Sequence, residues 1–445
     1  MRINISELAK FNSFINGYHP DLRLNEINGM TIDSRKVEQG DMYFALRGSR
    51  VDGHNYIQQA IKSGASAIVT ENQLVDVPVP QIIVESSHKY LLELANAWWS
   101  SFSFPVIAIT GSNGKTTTKE LLSHIASNYL KIASINGNYN STIGLPLSLF
   151  SLTEDNDFAI LEIGSNSPGE ISTLTELIKP MFGLITNIYA AHIGNFDNIE
   201  NIAIEKSQLF NGLIGDGVAF VNIDDPFIYH MDFPSKIISY GFTSKCDFRG
   251  KISELNGEKF LYINEQIIDA SIESKAMAHN TLAAYSIAAT IGLSHNKISD
   301  SIQSFILPDG RGNIVHRKDY TIIDDTYNAN LQSAITGIND AMDISPNNRI
   351  ILIIGDMFEL GKHTDAHHRV LGEYISEKKP NLVLTLGNYT HITSDICKSN
   401  GIETYHFDTH DKIINSLNKY LTPGDVIYIK GSRGMKMDKI LRGIE

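Results

Sequence analysis

The octapeptide Thr110-Gly111-Ser112-Asn113-Gly114-Lys115-Thr116-Thr117 follows the apolar run Pro105-Val106-Ile107-Ala108-Ile109 and precedes the helical pattern KELLSHIASNYL at 119–130. A buried strand, a Gly-rich turn and a helix in that order make a phosphate cradle. The glycines let the backbone wrap oxygens closely, and the first N–H groups of the helix point inward. Lys115 supplies a point charge for the β- and γ-phosphates, and the Thr116 hydroxyl is a Mg²⁺ ligand. The loop departs from the general G-x-x-x-x-G-K-[ST] form, because Ile109 stands five positions before Gly114 and Gly111 is the earlier glycine. A βα turn with a chance lysine is the bland alternative. The strand before and the helix after weigh against it, so the loop is read as nucleotide-binding.

Outward from the loop, short apolar strands, turns and amphipathic helices alternate. Upstream lie MYFAL, SAIVT and QIIVE, then a loop DVPVPQ, then the helix-like HKYLLELANAWWSSF. Downstream, FAILEI, FGLITNI and GVAFVN alternate with helical patterns as far as NTLAAYSIAATIGL, which predicts βαβ units and a mostly parallel sheet. After the turn Leu307-Pro308-Asp309-Gly310 the alternation restarts with YTIIDD, RIILIIGD, LVLTLG and DVIYIKG. That last third reads as an open sheet with ligand groups at the carboxyl ends of its strands. The expectation is three α/β domains, at 1–85, 86–307 and 308–445, the second a phosphate-loop parallel-sheet domain and the third Rossmann-like.

Composition narrows the function. With 42% hydrophobic and 20% charged residues this is an ordinary globular chain. A formal net charge of −13 argues against nucleic-acid or anionic-membrane partners. The two cysteines, Cys246 and Cys397, have no metal-ligand spacing and read as free thiols of a reducing compartment. The N-terminal MRINISELAKFNSF has no apolar core of a secretion signal, and no run approaches the ~18–20 apolar residues of a membrane span. The expectation is a cytoplasmic protein, working as a monomer.

Three further residues are weaker signals. Glu162, near the carboxyl end of FAILEI, is as readily structural as functional by itself. Beside a phosphate loop, Mg²⁺ binding is the better reading. His192, in Thr186-to-His192 TNIYAAH, is a loop imidazole whose bland reading is the commoner one. Lys206, in IENIAIEKSQLF, reads on spacing alone as a solvated lysine.

Taken together, these segments resemble the Mur ligase family almost end to end, and within it the branch that adds D-alanyl-D-alanine. TGSNGKTTTKE is similar to the family phosphate loop, so that Thr110 to Thr117 are expected around ATP. NGNYNSTIGLPLSL is similar to the stretch that follows it, and Asn138 and Asn140 within it are expected to face substrate. LEIGSNSPGEI resembles the segment of the Mg²⁺-binding glutamate. NIYAAHIGNF and AIEKSQLF resemble those of the metal-binding histidine and of the lysine that CO₂ carbamylates. By the same resemblance Asn280 meets adenine, Arg311 reaches the ATP phosphates and Asp325 binds the ribose. The discriminating run is Asp324-Asp325-Thr326-Tyr327-Asn328-Ala329-Asn330; Tyr327, Asn328 and Asn330 are expected to hold peptide substrates. GDMFELG with His368, and KGSRGMKM, also resemble the dipeptide-adding branch. Leu331 departs from the family's usual proline, which is expected to loosen a turn. DSRKVEQGDMYFALRGSRVDGH resembles the family's UDP-binding domain, with Ser34 and Arg35 expected at the UDP end.

What the resemblance implies is ATP-dependent addition of D-Ala-D-Ala to UDP-MurNAc-tripeptide through an acyl phosphate. Lys115, Glu162, His192 and Lys206 would be the catalytic set. The cofactors would be two Mg²⁺ ions, held through Thr116, Glu162, His192 and carbamylated Lys206. The rivals are a sister ligase adding a single amino acid, and a scaffold that keeps the fold without turnover.

Overall fold

Three parallel-rich sheets succeed one another along the chain in the computed structural model. It describes Ile3–Asn4 and residues 26–444, apart from 49–50, 75–76, 136, 138, 154, 234–235, 244, 256–257, 273 and 345–347. Asn138 therefore lies outside the described residues.

The first sheet is all parallel, in the order Met30–Thr31, Met42–Phe44, Ala67–Thr70, Gln81–Ile83. The strand runs expected from MYFAL, SAIVT and QIIVE are all present. Helix Ser87–Trp99 follows, capped by the Ser86 side chain. It packs on helices Gly144–Leu149 and Glu170–Ile178 of the next unit, where the indole N–H of Trp98 donates to Leu149 O at 3.1 Å and that of Trp99 to Ile178 O at 2.9 Å.

The second sheet has nine strands. Its parallel part runs Ile132–Ser134, Phe158–Glu162, Val106–Thr110, Phe182–Ile185, Val218–Asn222, Lys236–Gly241. Val106–Thr110 is buried at every position, which is why it carries β-branched and small apolar residues on both faces. Strand order reverses around it, so its carboxyl end is the switch point where open sheets take ligands. The antiparallel extension through Phe248–Leu255, Glu258–Ile263 and Gln266–Ser271 was not expected from the sequence. Its residues are mostly half-buried or exposed, without a clean apolar alternation, and such a stretch is easily read as loop.

The third sheet runs Asn313–His316, Tyr320–Asp325, Asp425–Lys430, Ile350–Gly355, Leu382–Leu386, Thr404–Phe407, all parallel but for its first strand. Leu331 is the first residue of helix Leu331–Ile344 and lies in no loosened turn. A proline is tolerated at that position because the N–H there has no helical acceptor, so its replacement is structurally mild.

The second and third sheets meet through side chains as well as apolar contact. Asp340, buried on helix Leu331–Ile344, accepts the backbone N–H of Lys275 at 3.3 Å, so it caps helix Lys275–Thr290 from the neighbouring sheet's layer. Burial pushes its carboxyl up to about 6, against the pull of that N–H. A carboxyl whose folded pKa is raised costs stability in its charged form. The cost is present above about pH 6 and absent below the unfolded value near 4. Asp340→Asn keeps an acceptor and removes that cost. It is expected to raise the melting temperature by a few degrees at pH 8 and to leave it unchanged at pH 4. A lowered melting point at pH 8 would mean that the charge on the helix end outweighs its desolvation.

Candidate active site

The carboxyl ends of Val106–Thr110, Phe158–Glu162 and Tyr320–Asp325 open onto one cavity of about 1380 Å³. It is lined from the phosphate loop (Ser112 to Thr117) across to the third sheet (Asp325, Tyr327, Asn328, Asn330). Thr110 and Gly111, expected around ATP, are buried beneath it and are absent from its lining. Gly111 instead makes room: its φ is +143°, and a Cβ there would collide with Thr186 Oγ1. The loop is held from below by Asn187, whose Oδ1 accepts from Asn113 N at 2.9 Å, and by Thr186 Oγ1, which donates to Asn113 O at 2.6 Å.

Lys115 opens helix Lys115–Ser127 and is half-buried. Its ammonium donates to Gly111 O at 2.7 Å and Ser112 O at 3.3 Å, carbonyls of the loop itself. Burial pulls its pKa down, opposed by Glu162 and reinforced by Arg311. Glu162, 6% exposed, accepts the Thr116 hydroxyl at 2.7 Å and the Asn140 amide at 2.6 Å. A hydroxyl from the start of that helix and an amide from beyond its end thus converge on one carboxylate. Thr117 is buried behind the loop, and Asn280 Oδ1 accepts from Thr118 Oγ1 at 3.3 Å, against the loop at Gly114.

Lys206 is not a solvated lysine. It is 4% exposed on helix Ile199–Asn211 and lines the cavity. Burial lowers its pKa to about 7, with Lys115 adding to the effect and Glu205 opposing it. Glu205 is engaged elsewhere, accepting from Gly169 N at 2.7 Å and Ile171 N at 2.8 Å at the start of helix Glu170–Ile178. His192 sits in left-handed backbone (φ +55°), with Nδ1 2.5 Å from Glu359 Oε2, close enough for an ion pair but without hydrogen-bond angles. Glu359 comes from the third sheet's loops, and its pKa is lowered chiefly by His192. Nothing in the spacing of GDMFELG singles it out.

Asp325 meets Lys430, its in-register neighbour on the adjacent strand, at 2.5 Å, and accepts the Tyr428 hydroxyl at 2.9 Å. Burial raises its pKa, and Lys430 is the main opposing influence. Two guanidiniums stack against Tyr327, Arg311 at 3.9 Å and Arg433 at 4.7 Å from the ring centroid. Asn328 Oδ1 accepts from Arg433 N at 3.3 Å. Asn330 and Asn113 exchange amide hydrogen bonds at 2.7 and 3.3 Å, joining the third sheet to the phosphate loop. His368, by contrast, is fully buried, with Nε2 accepting from Met357 N at 3.2 Å and Nδ1 at 2.8 Å from Thr364 O; its role is to shape the loop before Glu359. Ser34 and Arg35 are outside this cavity: Ser34 donates to Gln59 at 3.2 Å, and Arg35 clamps Asp33 with two bonds of 2.8 Å.

A phosphate loop, a buried carboxylate beside its threonine and a facing sheet that completes the cavity define a nucleotide-dependent enzyme whose site is shared between two α/β units. The comparisons with known proteins agree along the chain. The Mur ligase middle domain matches residues 109–288, the Mur ligase glutamate ligase domain 310–433, and the Mur ligase catalytic domain 26–99. A Synechocystis UDP-N-acetylmuramoyl-tripeptide–D-alanyl-D-alanine ligase is 31% identical over 95% of this chain and 92% of its own. MurF from Acinetobacter baumannii superposes with a TM-score of 0.89 at 26% identity, over 99% of this chain and 98% of that one. MurF from Thermotoga maritima, solved with ADP, gives 0.83 at 26% identity, over 93% and 96%. The chain belongs to the Mur ligase family.

Gly111→Ala, with a positive φ and no space for a methyl group, is expected to lower stability by at least about 2 kcal/mol and to abolish nucleotide binding. Chemical denaturation and nucleotide titration check both. Native stability in the variant would mean that the loop tolerates a shift of Thr186.

Proposed function

We propose that this chain uses ATP to join D-alanyl-D-alanine to UDP-MurNAc-tripeptide, forming an amide bond. The observation that carries the reading is the Asn113–Asn330 pair: the Tyr327-Asn328-Ala329-Asn330 strand end stands directly against the phosphate loop. A group bound on that strand end is therefore beside the nucleotide's phosphates. We assign UDP binding to residues 1–85, the nucleotide loop to 86–307 and the amine side to 308–445. The reaction belongs in the cytoplasm, and every group it uses comes from one chain. Among the described residues no helix is long and apolar enough to cross a membrane.

A carboxylate is a poor acyl donor because it would have to expel oxide. Transfer of the γ-phosphoryl group makes an acyl phosphate, and the dipeptide amine then displaces phosphate through a tetrahedral intermediate. Two anions meet in the first step, so neutralising charge is the main catalytic task. Lys115 moves from its two loop carbonyls to the phosphates, and Arg311 approaches from the third sheet. Asn280 faces the adenine, Asp325 the ribose, and Asn140 steadies Glu162. Ser34 and Arg35 are assigned to the UDP end, and Tyr327, Asn328 and Asn330 to the peptides.

The residues present fit Mg²⁺. Thr116 and Glu162 bring a hydroxyl and a carboxylate oxygen within 2.7 Å at the loop, and Mg²⁺ takes few protein oxygens while leaving places for phosphate and water. Among the described residues there is no cluster of three or more His, Cys, Asp or Glu side chains for a softer or fully caged metal. Mg²⁺ held there, and a second ion at His192, would supply charge neutralisation between carboxylate and γ-phosphate. Lys206 fits carbamylation: with its pKa near 7 a neutral amine is present at physiological pH, as addition to CO₂ requires. The carbamate is anionic, where an ammonium would repel the cations.

Product is expected from UDP-MurNAc-tripeptide, ATP and D-Ala-D-Ala, and not when a single amino acid replaces the dipeptide. Equal rates with a single amino acid would move the chain to a sister activity; nucleotide binding without turnover under any of these conditions would make it a scaffold. Lys115→Ala is expected to lose more than tenfold in kcat while folding normally. Lys206→Ala should lose most activity and regain part of it with formate or acetate, which fill the vacated space; a fully active variant would remove the carbamate from the mechanism.

A further inference from the structure

The roles above give no part to Arg433, a cation of the cavity. Arg433 follows Asp425–Lys430, lines the cavity beside Asn328 and is exposed at its side chain. Among the described residues no carboxylate lies within ion-pair distance of it, whereas Lys430 three positions earlier is paired to Asp325. Its guanidinium is stacked on Tyr327, the ring that Arg311 also covers. Two guanidiniums over one ring repel each other, and stacking fixes their direction without neutralising either. Such a pair is stable in the loaded enzyme when each meets its own anion.

The proposed reaction supplies two anions. One is the phosphoryl group being transferred, which Arg311 serves. The other is the terminal carboxylate of the incoming dipeptide: its amine must reach the acyl carbonyl, and two residues of chain then set the carboxylate roughly 7 Å away. Phe358, 40% exposed, borders the same place: its ring would sit 2.8 Å from a Cβ at Gly434, and its N–H is held by Ser432 Oγ at 2.8 Å. A forked cation beside an exposed aromatic wall suits a carboxylate flanked by methyl groups. Resting on the reading of the chain as a dipeptide ligase, we infer that Arg433 binds the C-terminal carboxylate of the incoming dipeptide, with Tyr327 as its positioning platform, and so selects a free acid over a neutral end.

The test compares D-Ala-D-Ala with its C-terminal carboxamide, in the full chain and in Arg433→Met and Arg433→Lys. Native enzyme is expected to prefer the free acid by roughly 10- to 100-fold in kcat/KM. Arg433→Met should bring the acid down to the level of the amide, leave the amide within about threefold of native, and leave KM for ATP and for the UDP-linked substrate unchanged. Arg433→Lys keeps the charge and loses the fork, so it should retain part of the preference, and it carries the test if the methionine variant does not fold. Equal losses on acid and amide, or a raised KM for ATP or for the UDP-linked substrate, overturn the inference. Native enzyme that turns over D-Ala-D-Ala without preferring it to the amide overturns this inference alone. No turnover of either dipeptide overturns the ligase reading together with it.

Discussion

Two side-chain amides, Asn113 on the phosphate loop and Asn330 in the turn between strand Tyr320–Asp325 and helix Leu331–Ile344, exchange hydrogen bonds across the gap between sheets. A site built from the carboxyl ends of strands in two separate sheets is only as well defined as their relative placement. The amide pair sets that placement at the loop itself. Other contacts hold it away from the loop, among them Gly194 N donating to Glu359 O at 3.0 Å, His363 meeting Asp197 O at 3.1 Å, and Asp340 capping helix Lys275–Thr290. Attachment at several separated points restrains rotation as well as separation. The cavity is the space they enclose.

Attachment of this kind also explains the backbone around His192. His192, Glu359 and Gly361 all have positive φ, at +55°, +63° and +52°. For the two non-glycine residues that geometry costs of order 1–2 kcal/mol each. It persists because the two loops are locked face to face: a Cβ on Gly194 would lie 2.8 Å from Gly361 N and 2.9 Å from Glu359 O. The strain and the close approach are one feature, and their result is an imidazole held over the cavity against a carboxylate of the other sheet.

Charge is distributed by burial more than by number. The chain is acidic as a whole, at −13, yet its cavity holds cations that burial makes less willing to be charged. Lys115 is tied to carbonyls, Lys206 is lowered to about 7, and Lys430 is matched to Asp325. An arriving anion therefore meets groups already desolvated and aimed, which is where fixed charges act most strongly.

Much of the architecture was legible in the residues themselves. Buried parallel strands need apolar residues on both faces, so VIAIT, FAILE and IILIIG announce themselves, and a Gly-Lys-Thr turn after such a strand admits few readings. Glu162 was legible only as a strand-end carboxylate beside that turn. The antiparallel extension was not legible, since half-exposed strands share their pattern with loops. Glu359, Lys430 and the partnership of Asn113 with Asn330 were likewise invisible: each is defined by a contact between segments far apart in sequence, and local pattern holds no record of such contacts. Lys206 is the sharpest case. Its helix reads as an ordinary solvated surface, and only the packing of that helix beneath the cavity removes the water that would have kept its amine charged. The sequence by itself determined the buried parallel strands, the phosphate loop and the order of the three units, because those follow from local periodicity and backbone chemistry. Which side chains share one cavity, and what burial does to their protons, was decided by tertiary structure alone, because desolvation and contact belong to the folded assembly of segments and to no segment taken singly.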